Sequence, residues 1–227
     1  MRRTLAAQPN TVVVLIHGNS LSSALLAQSA PAVLAAWFGG ELGGDAIVDA
    51  LDGTISPAGK MPVTTYHANF TQRDVRVTDL RADGGITYRW FAGPVQTPFG
   101  FGLSYSTFSY KWAERAPPRE AAATSELRVS YDVTVVNTGT VASDCVVLGF
   151  LTAVAGSHAD TPLRRLFEFT RLLALQPGEA RDVHFALGAK ALRFTDRDGR
   201  PVLASAGRVG VEIGDVVAPL RHELQLV

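Results

Sequence analysis

This sequence of 227 residues has little cysteine and no net charge. Cys145 is its one cysteine, and 21 basic residues balance 21 acidic residues to give a formal charge of zero. One cysteine excludes an intrachain disulfide framework, and we expect Cys145 to be a buried small hydrophobic side chain. Without net charge there is no global field that favours nucleic acid or an anionic membrane, so neither is expected as a partner.

The sequence also lacks a long apolar run. Arg2 and Arg3 resemble the start of a secretory signal, but the polar residues 8–10 follow before an apolar segment of sufficient length. No signal peptide and no membrane span is predicted, and the compartment stays undetermined. The hydrophobic fraction of 47% is still sufficient for the cores of two modest domains.

Residues 1–66 have the pattern of a partial α/β domain. Residues 11–17 and 32–38 are continuous aliphatic runs, which are typical of parallel strands covered on both faces. A helix between the runs, capped by Ser20 or Ser22, predicts a right-handed crossover. Two strands alone do not bury both faces of a sheet, so we expect neighbouring elements from polypeptide outside these residues.

A second helix is predicted over residues 45–52, and it ends at Gly53, the residue type that most readily takes a left-handed helix end. Acidic residues share one face of this helix, where they are potential acid/base or cation-binding groups. We favour a solvated face instead, because acidic side chains near a helix N-terminus are stabilised by the helix dipole. The acidic residues are Glu41, Asp45, Asp49 and Asp52.

Residues 67–118 show no periodicity and are predicted to be a long connecting loop and a linker. Residues 115–123 (RAPPREAAA) have the prolines and small residues of a linker, which predicts a domain boundary near residue 118. The loop is rich in aromatic residues, which either stack on sugar rings with Arg89 or hold the loop against its flanking domains, and we favour the second role. They are Tyr88, Trp90, Phe91, Phe99, Phe101, Tyr105 and Phe108.

Residues 119–227 change to the period of two that is typical of strands. About seven short strands without an intervening helix indicate an immunoglobulin-like or fibronectin type III-like β-sandwich. The predicted fold class is therefore α/β plus all-β, with an incomplete parallel sheet followed by a β-sandwich. The predicted strands cover residues 127–135, 144–154, 166–175, 180–187, 191–194, 208–213 and 222–227.

Two further motifs give weak chemical signals. Asp196, Asp198 and Gly199 match part of a calcium loop, but the later ligands are missing, so a polar hairpin turn is predicted. The five histidines have no paired spacing, so no zinc site is predicted.

An esterase is the weakest alternative that the sequence allows. His17 ends an aliphatic run and precedes a glycine, as in the oxyanion loop of α/β-hydrolases. That fold requires a Gly-x-Ser-x-Gly elbow between a strand and a helix. Residues 102–106 (GLSYS) lack the final glycine and have no such context.

Two long segments carry a family resemblance. Residues 37–64 (WFGGELGGDAIVDALDGTISPAGKMPVT) and residues 87–108 (TYRWFAGPVQTPFGFGLSYSTF) resemble segments of family 3 glycoside hydrolases, in the same order. The string VTDLRADGGITYRW at residues 77–90 is most similar to the β-xylosidase branch. In the sandwich, residues 135–139 (VVNTG) and 162–179 are similar to the fibronectin III-like C-terminal module of that family.

The resemblance implies the C-terminal end of a β-xylosidase or β-glucosidase-like enzyme. In that family, a (β/α)₈ barrel supplies an aspartate nucleophile and the upstream part of the α/β sandwich supplies a glutamate acid/base. Retaining hydrolysis needs both carboxyl groups about 5 Å apart. The resemblance places both groups upstream of these residues, so no catalytic, cofactor or metal residue is assigned here and the chain alone is expected to be inactive.

The resemblance also implies partners and a location. The partners are a glycoside or oligosaccharide substrate and the missing barrel and α/β sandwich, and members of the family are often secreted. A stand-alone carbohydrate-associated or protein-interaction module is the alternative of a different class. Substrate-binding residues stay unassigned, because this sequence departs from the family pattern at Phe38, Gly39, Glu41 and Phe101.

Overall fold

A computed structural model of the chain describes residues 1–22, 24–71, 73–74, 76–114, 116–122, 124, 126–203 and 207–227. The helices are α1 (Arg2–Ala7), α2 (Ala24–Ser29), α3 (Gly43–Asp52) and α4 (Thr87–Trp90), with 3₁₀ turns at Ala82–Gly84 and Ala189–Leu192. The strands are β1 (Val12–Leu15), β2 (Ala32–Ala35), β3 (Thr65–Tyr66), β4 (Val95–Thr97), β5 (Phe108–Trp112), β6 (Glu120–Ala121), β7 (Arg128–Asn137), β8 (Ser143–Thr152), β9 (Arg164–Leu175), β10 (Ala180–Gly188), β11 (Arg193–Thr195), β12 (Pro201–Leu203), β13 (Arg208–Gly214) and β14 (Leu220–Leu226). Over this described part of the chain, every helix is too short or too polar to cross a bilayer.

The N-terminal segment is the βαβα unit that the sequence predicts. Strands β1 and β2 pair in parallel, with Val13 opposite Val33, and α2 connects them. Helix α3 ends at Gly53, whose φ of 86° is left-handed. Both strands are shorter than predicted, because β1 ends at Leu15 and β2 ends at Ala35.

The predicted serine caps bond elsewhere. The Ser20 hydroxyl donates to the Thr64 carbonyl at 3.1 Å, and the Ser22 hydroxyl donates to Gln96 Oε1 at 3.3 Å. Residue 23, directly before α2, lies outside the described residues. The two serines therefore fasten the start of the crossover to the region that follows α3.

Apolar side chains of the α/β segment are uncovered. Val12 and Val33 on the two strands are exposed, as are Val48 and Leu51 on α3, whereas Ala50 is buried. Three short helices are too few to cover both faces of a two-stranded sheet. Within the described residues, the segment therefore leaves apolar side chains on its sheet and on α3 uncovered.

The sandwich consists of two sheets. One has the strand order β10-β7-β5, and the other has the order β6-β14-β13-β8-β9. Inward-facing residues of both sheets form one core, and Cys145 is buried in it as predicted. The largest core side chains are Tyr131, Phe185, Leu175, Leu187, Leu192, Ile213 and Leu224.

Strand β8 is apolar on both faces, because both faces are covered. Val147 and Leu151 belong to the sandwich core. Leu148 and Phe150 face the opposite side and are also buried, at 6% and 1% exposure. The loop between β4 and β5 covers that outer face. A Cβ atom placed on Gly100 of this loop would lie only 2.7 Å from Leu148 Cδ1.

The order of elements near residue 191 differs from the prediction. Residues 191–194 are predicted as a strand, but Ala189–Leu192 is a 3₁₀ turn that places Leu192 in the core, and β11 begins only at Arg193. The β11–β12 hairpin then closes with the polar turn predicted there. Asp196 Oδ1 accepts the N–H groups of Asp198 at 3.0 Å and Arg200 at 2.8 Å.

Three strands, β4, β5 and β6, lie where the sequence predicts loop and linker, and two of them join the sandwich. Strand β5 pairs antiparallel with β7, and β6 pairs in parallel with β14. Phe108, Tyr110 and Trp112 alternate along β5 and pack against the sandwich core. All three lie within residues 67–118, and of them only Phe108 belongs to the aromatic group predicted in that loop. Residues 115 and 123 of the predicted linker lie outside the described residues. We propose that the sandwich begins at Phe108.

A β-bulge interrupts the pairing of β8 with β9 near Ala174. Ser143 lies opposite Leu175, but Cys145 lies opposite Leu172, so β9 has one extra residue. Asp144 fixes the bulge, since its carboxylate accepts the Ala174 N–H at 2.8 Å and pairs with Arg171 at 2.6 Å. Burial opposes ionisation of Asp144, but these two bonds outweigh it and lower the pKa of the carboxyl group.

Ala174 is in the left-handed region, with φ of 48°. A non-glycine residue there costs about 1–2 kcal/mol, while glycine loses about 0.5–1 kcal/mol of backbone entropy on folding. We expect Ala174→Gly to raise the free energy of unfolding by about 0.5 kcal/mol. The measurement is the urea midpoint, with Ala186→Gly in regular β10 as the matched control. The control should lower stability, and equal losses in both variants would contradict the interpretation of Ala174 as strained.

Candidate functional site

An aromatic cluster joins the loop region to the outer face of the sandwich. The Tyr88 and Phe99 rings stack with centroids 4.2 Å apart, and both meet Phe150 edge-on, at 5.9 Å and 6.2 Å. We call Tyr88, Phe99 and Phe150 the junction cluster. These contacts agree with the prediction that Tyr88 and Phe99 hold the loop against a flanking domain.

Arg164 closes the junction cluster from the side of the sandwich. Its guanidinium carbon lies 3.8 Å from the centroid of the Phe150 ring, within cation–π range. The same group pairs with Glu212 at 2.8 Å, and Glu212 also accepts a bond from Arg221 at 2.9 Å. Burial lowers the pKa of Arg164, and the Glu212 carboxylate opposes that shift.

A second link connects the residues after α3 to the sandwich. Lys60 Nζ donates to the Gly102 carbonyl at 2.6 Å and pairs with Asp215 at 3.3 Å. Nearby, the Tyr110 hydroxyl lies 3.5 Å from Cys145 Sγ. Burial raises the pKa of both the tyrosine and the thiol, so both stay neutral and Cys145 has the structural role predicted for it.

Asn137 is a fully buried amide that ties three turns together. Its Oδ1 accepts the Ser106 hydroxyl at 2.5 Å and the Gly139 N–H at 3.0 Å. Its Nδ2 donates to the carbonyls of Val141 at 2.9 Å and Leu175 at 2.8 Å. The asparagine of the VVNTG motif therefore has a structural role, which the family resemblance of the motif does not by itself reveal.

A cavity of about 510 Å³ lies between β3 and α4, and we call it the aromatic cavity. Two of its walls contain stacked aromatic pairs, Tyr66 with Phe70 at 4.1 Å and Tyr88 with Phe99. The Tyr66 hydroxyl connects the two walls, because it accepts the Thr87 N–H at 2.5 Å. Tyr66 and Phe70 lie four residues apart at the edge of a polar stretch, where no periodicity in the sequence marks them as part of a site.

The other aromatic residues of the loop have separate positions. Phe91 meets both Tyr66 and Phe70 edge-on, at 5.2 Å and 5.0 Å. Trp90 lies under the Arg81 guanidinium at 4.6 Å and that of Arg89 at 5.9 Å. The structure thus divides the predicted aromatic group among the junction cluster, the aromatic cavity and local packing.

The acidic residues of α3 face solvent. Glu41, Asp45 and Asp52 are exposed and Asp49 is half-buried. Asp52 accepts the Thr54 N–H at 2.8 Å, which lowers the pKa of its carboxyl group. Other residues line the aromatic cavity. The acidic side chains near and on α3 are thus on a solvent-facing side of the helix, the arrangement that we expect from the sequence. Among the described residues, no group of three or more His, Cys, Asp or Glu side chains is placed to hold a metal ion.

The segment that an esterase would use has no elbow. Ser104 lies in a loop rather than between a strand and a helix, and its hydroxyl donates to the Ser106 carbonyl at 2.9 Å. His17 Nδ1 lies 2.6 Å from the Asn19 carbonyl, and its ring lies 4.5 Å from that of Trp37. The local geometry required for a nucleophilic serine is therefore absent at this described segment.

Known proteins share this arrangement along nearly the whole chain. The family model for the glycosyl hydrolase family 3 C-terminal domain matches residues 1–105, and that for a fibronectin type III-like domain matches residues 146–216. Exo-1,4-beta-xylosidase bxlB of Emericella nidulans is 35% identical over 210 residues, which are 86% of this chain and 27% of that enzyme.

Solved structures agree with these matches. The β-glucosidase EmGH1 of Erythrobacter marinus has a TM-score of 0.77 at 31% identity, covering 96% of this chain and 28% of that chain. The β-glucosidase of Listeria innocua in complex with glucose has a TM-score of 0.81 at 26% identity, covering 99% of this chain and 32% of that chain.

The fold defines a class of protein in which an α/β layer is followed by a β-sandwich fastened to it through a loop-rich region. Within that class, the chain belongs to glycoside hydrolase family 3 and corresponds to the C-terminal portion of its enzymes. It spans 27% of the length of the Emericella xylosidase and 28% to 32% of the two β-glucosidases.

Proposed function

We propose that this chain acts as the C-terminal part of an enzyme that hydrolyses β-linked xylosides or glucosides. The observation that carries the proposal is the extent of the matches, which cover 86% of this chain but 27% of a β-xylosidase. The chain contributes the end of the α/β domain and the fibronectin III-like sandwich. The nucleophile and the acid/base carboxyl groups are supplied by polypeptide outside these residues.

The environment of the carboxylates supports this division of labour. Retaining glycosidases hold two carboxyl groups about 5 Å apart across the scissile bond, one of them in surroundings that raise its pKa. The acidic residues of α3 lie on a helix surface, and Asp52 has a lowered pKa. A solvated helix face neither encloses a sugar nor raises the pKa of an acid.

The uncovered apolar side chains support the expected partner. Val12 and Val33 on the sheet and Val48 and Leu51 on α3 are exposed, and further elements of an α/β domain would cover them. The junction cluster and the Lys60–Asp215 pair then fix the sandwich to that domain. The chain thus positions its own two parts and leaves apolar side chains of β1, β2 and α3 for the catalytic portion to cover.

The test is a chimera in which this chain replaces the corresponding C-terminal portion of the Emericella exo-1,4-beta-xylosidase. We expect the chimera to hydrolyse nitrophenyl β-xyloside, while the 227-residue chain alone and the truncated enzyme alone do not. Leu51→Asp in the chimera should reduce turnover at least about tenfold, because it places a charge in the new interface. The matched control is Val217→Asp, since Val217 is 70% exposed on the sandwich.

Two results would contradict the proposal. One is turnover by the isolated chain that Asp45→Asn or Asp49→Asn abolishes, because these residues would then do the chemistry. The other is a folded chimera, verified by a cooperative thermal transition, that stays inactive on both nitrophenyl β-xyloside and nitrophenyl β-glucoside.

A further inference from the structure

We propose that the aromatic cavity between β3 and α4 is a binding site for a neutral pyranoside ring, held by Tyr66, Phe70 and the Tyr88–Phe99 pair. This inference goes beyond the hydrolytic role, because it assigns sugar binding to residues of this chain that need no carboxylate chemistry. It is measured as binding, so it stands or falls independently of turnover.

The walls suit the apolar faces of a sugar. Tyr66 stacks on Phe70 at 4.1 Å with an interplanar angle of 11°, and Tyr88 stacks on Phe99 at 4.2 Å and 18°. Each pair presents aromatic surface to the cavity, and the axial C–H groups of a pyranose pack on such surface. The volume of about 510 Å³ lies within the range of small-ligand sites and exceeds that of one sugar ring.

The charges at the cavity are compensated, which selects a neutral ligand. Arg73 donates to the Asp79 carbonyl at 2.5 Å and lies 4.0 Å from the Asp83 carboxylate. Asp74 pairs with the Arg76 guanidinium at 2.6 Å. Neither Arg73 nor Asp74 therefore brings an uncompensated charge to the site, and a free anion or cation gains little there.

Tyr66 provides the polar contact that distinguishes a sugar from an apolar ring. Its oxygen accepts the Thr87 N–H at 2.5 Å, and a phenol that accepts one bond keeps its own O–H for another acceptor. Burial raises the pKa of Tyr66, so the hydroxyl stays protonated at neutral pH and can donate to a sugar oxygen.

The backbone at the cavity is preorganised. Thr87 has φ of 64°, a conformation that a β-branched residue adopts only when its surroundings impose it. The Thr87 N–H donates to the Tyr66 hydroxyl in this conformation, and the neighbouring Tyr88 ring is held by its contacts with Phe99 and Phe150. Strain of this kind at a cavity wall is typical of residues fixed for a ligand.

The experiment titrates the 227-residue chain with methyl β-D-xylopyranoside, followed by protein NMR shifts and calorimetry. We expect saturable binding with a dissociation constant on the order of 1 mM, as the small size of the ligand implies. Phe70→Leu removes one aromatic wall and should weaken binding about three- to tenfold. Phe169→Leu makes the same change at a side chain 66% exposed on β9 and should leave binding unchanged.

Tyr66→Phe keeps the ring and removes the hydroxyl, so it decides the result if Phe70→Leu fails to fold. It should weaken xyloside binding about three- to tenfold and leave the affinity for phenol unchanged. The proposal is overturned if the xyloside shows no saturable binding, whether or not phenol binds, or if sodium glucuronate binds more tightly than the neutral xyloside. Equal affinities in wild type, Phe70→Leu and Tyr66→Phe would also overturn it.

Discussion

Phe150→Ala should lower the free energy of unfolding by about 3–5 kcal/mol, the range for truncating a buried phenylalanine. The side chain is 1% exposed, and it contacts Tyr88, Phe99 and Arg164 on the outer face of the sandwich. The truncation leaves a cavity under both loop rings and removes the aromatic partner of a buried guanidinium. The loop between α4 and β5 should then lose its attachment before the sandwich core unfolds.

Chemical denaturation gives the size of this effect, and hydrogen exchange shows where it acts. We expect the largest loss of protection at the Leu166 and Leu163 N–H groups, which lie 3.4 Å from the Tyr88 hydroxyl and 2.8 Å from the Arg89 carbonyl respectively. Phe169→Ala on the neighbouring strand is the matched control, and its effect should stay within about 0.5 kcal/mol. A Phe150→Ala variant as stable as the control would mean that the junction cluster does not hold the loop.

Asn137→Asp should cost about 3–5 kcal/mol at neutral pH, because it places a carboxylate without a counter-cation in a buried site. The Nδ2 donor disappears, and the Val141 and Leu175 carbonyls then face an oxygen instead. Burial and these two acceptors outweigh the remaining Ser106 and Gly139 donors and raise the pKa of the new carboxyl group above its unfolded value of about 3.9. The folded state therefore binds the proton more tightly than the unfolded state.

The sign of the pH dependence follows from that difference. The stability deficit of Asn137→Asp is smallest below about pH 4, grows as the pH rises from the unfolded pKa to the folded one, and is constant above it. The measurement is the difference in unfolding free energy between wild type and variant at pH 3.5 and pH 7. Asn69→Asp, at an exposed asparagine, is the matched control, and a similar pH profile in both variants would contradict the buried-carboxylate explanation.

Elements with a regular period were predictable. Helix α3 has a one-sided apolar pattern and Gly53 at its end, and both were found in place. Most sandwich strands follow the period of two. Strand β5 was missed because the alternation of Phe108, Tyr110 and Trp112 is adjacent to other aromatic residues and reads as part of the loop.

Contacts distant in sequence were not predictable. The apolar run of β8 indicates a strand covered on both faces, but nothing local shows that the outer cover is the loop with Tyr88 and Phe99. The aromatic cavity also depends on a contact distant in sequence, because Tyr66 and Thr87 are 21 residues apart and are joined by one hydrogen bond. The residue periodicity predicted the fold class and the family resemblance agreed with it, but neither identified the junction cluster or the cavity.

The bulge at Ala174 also bears on solubility. β9 is the last strand of its sheet, and its Phe169 and Leu173 are 66% and 63% exposed, a combination that favours pairing between chains and aggregation. The extra residue breaks the regular spacing of the free edge, and Arg181 donates to the Leu173 carbonyl at 2.8 Å. A second molecule therefore meets an interrupted edge with one acceptor already occupied, a geometry that disfavours regular strand pairing between molecules.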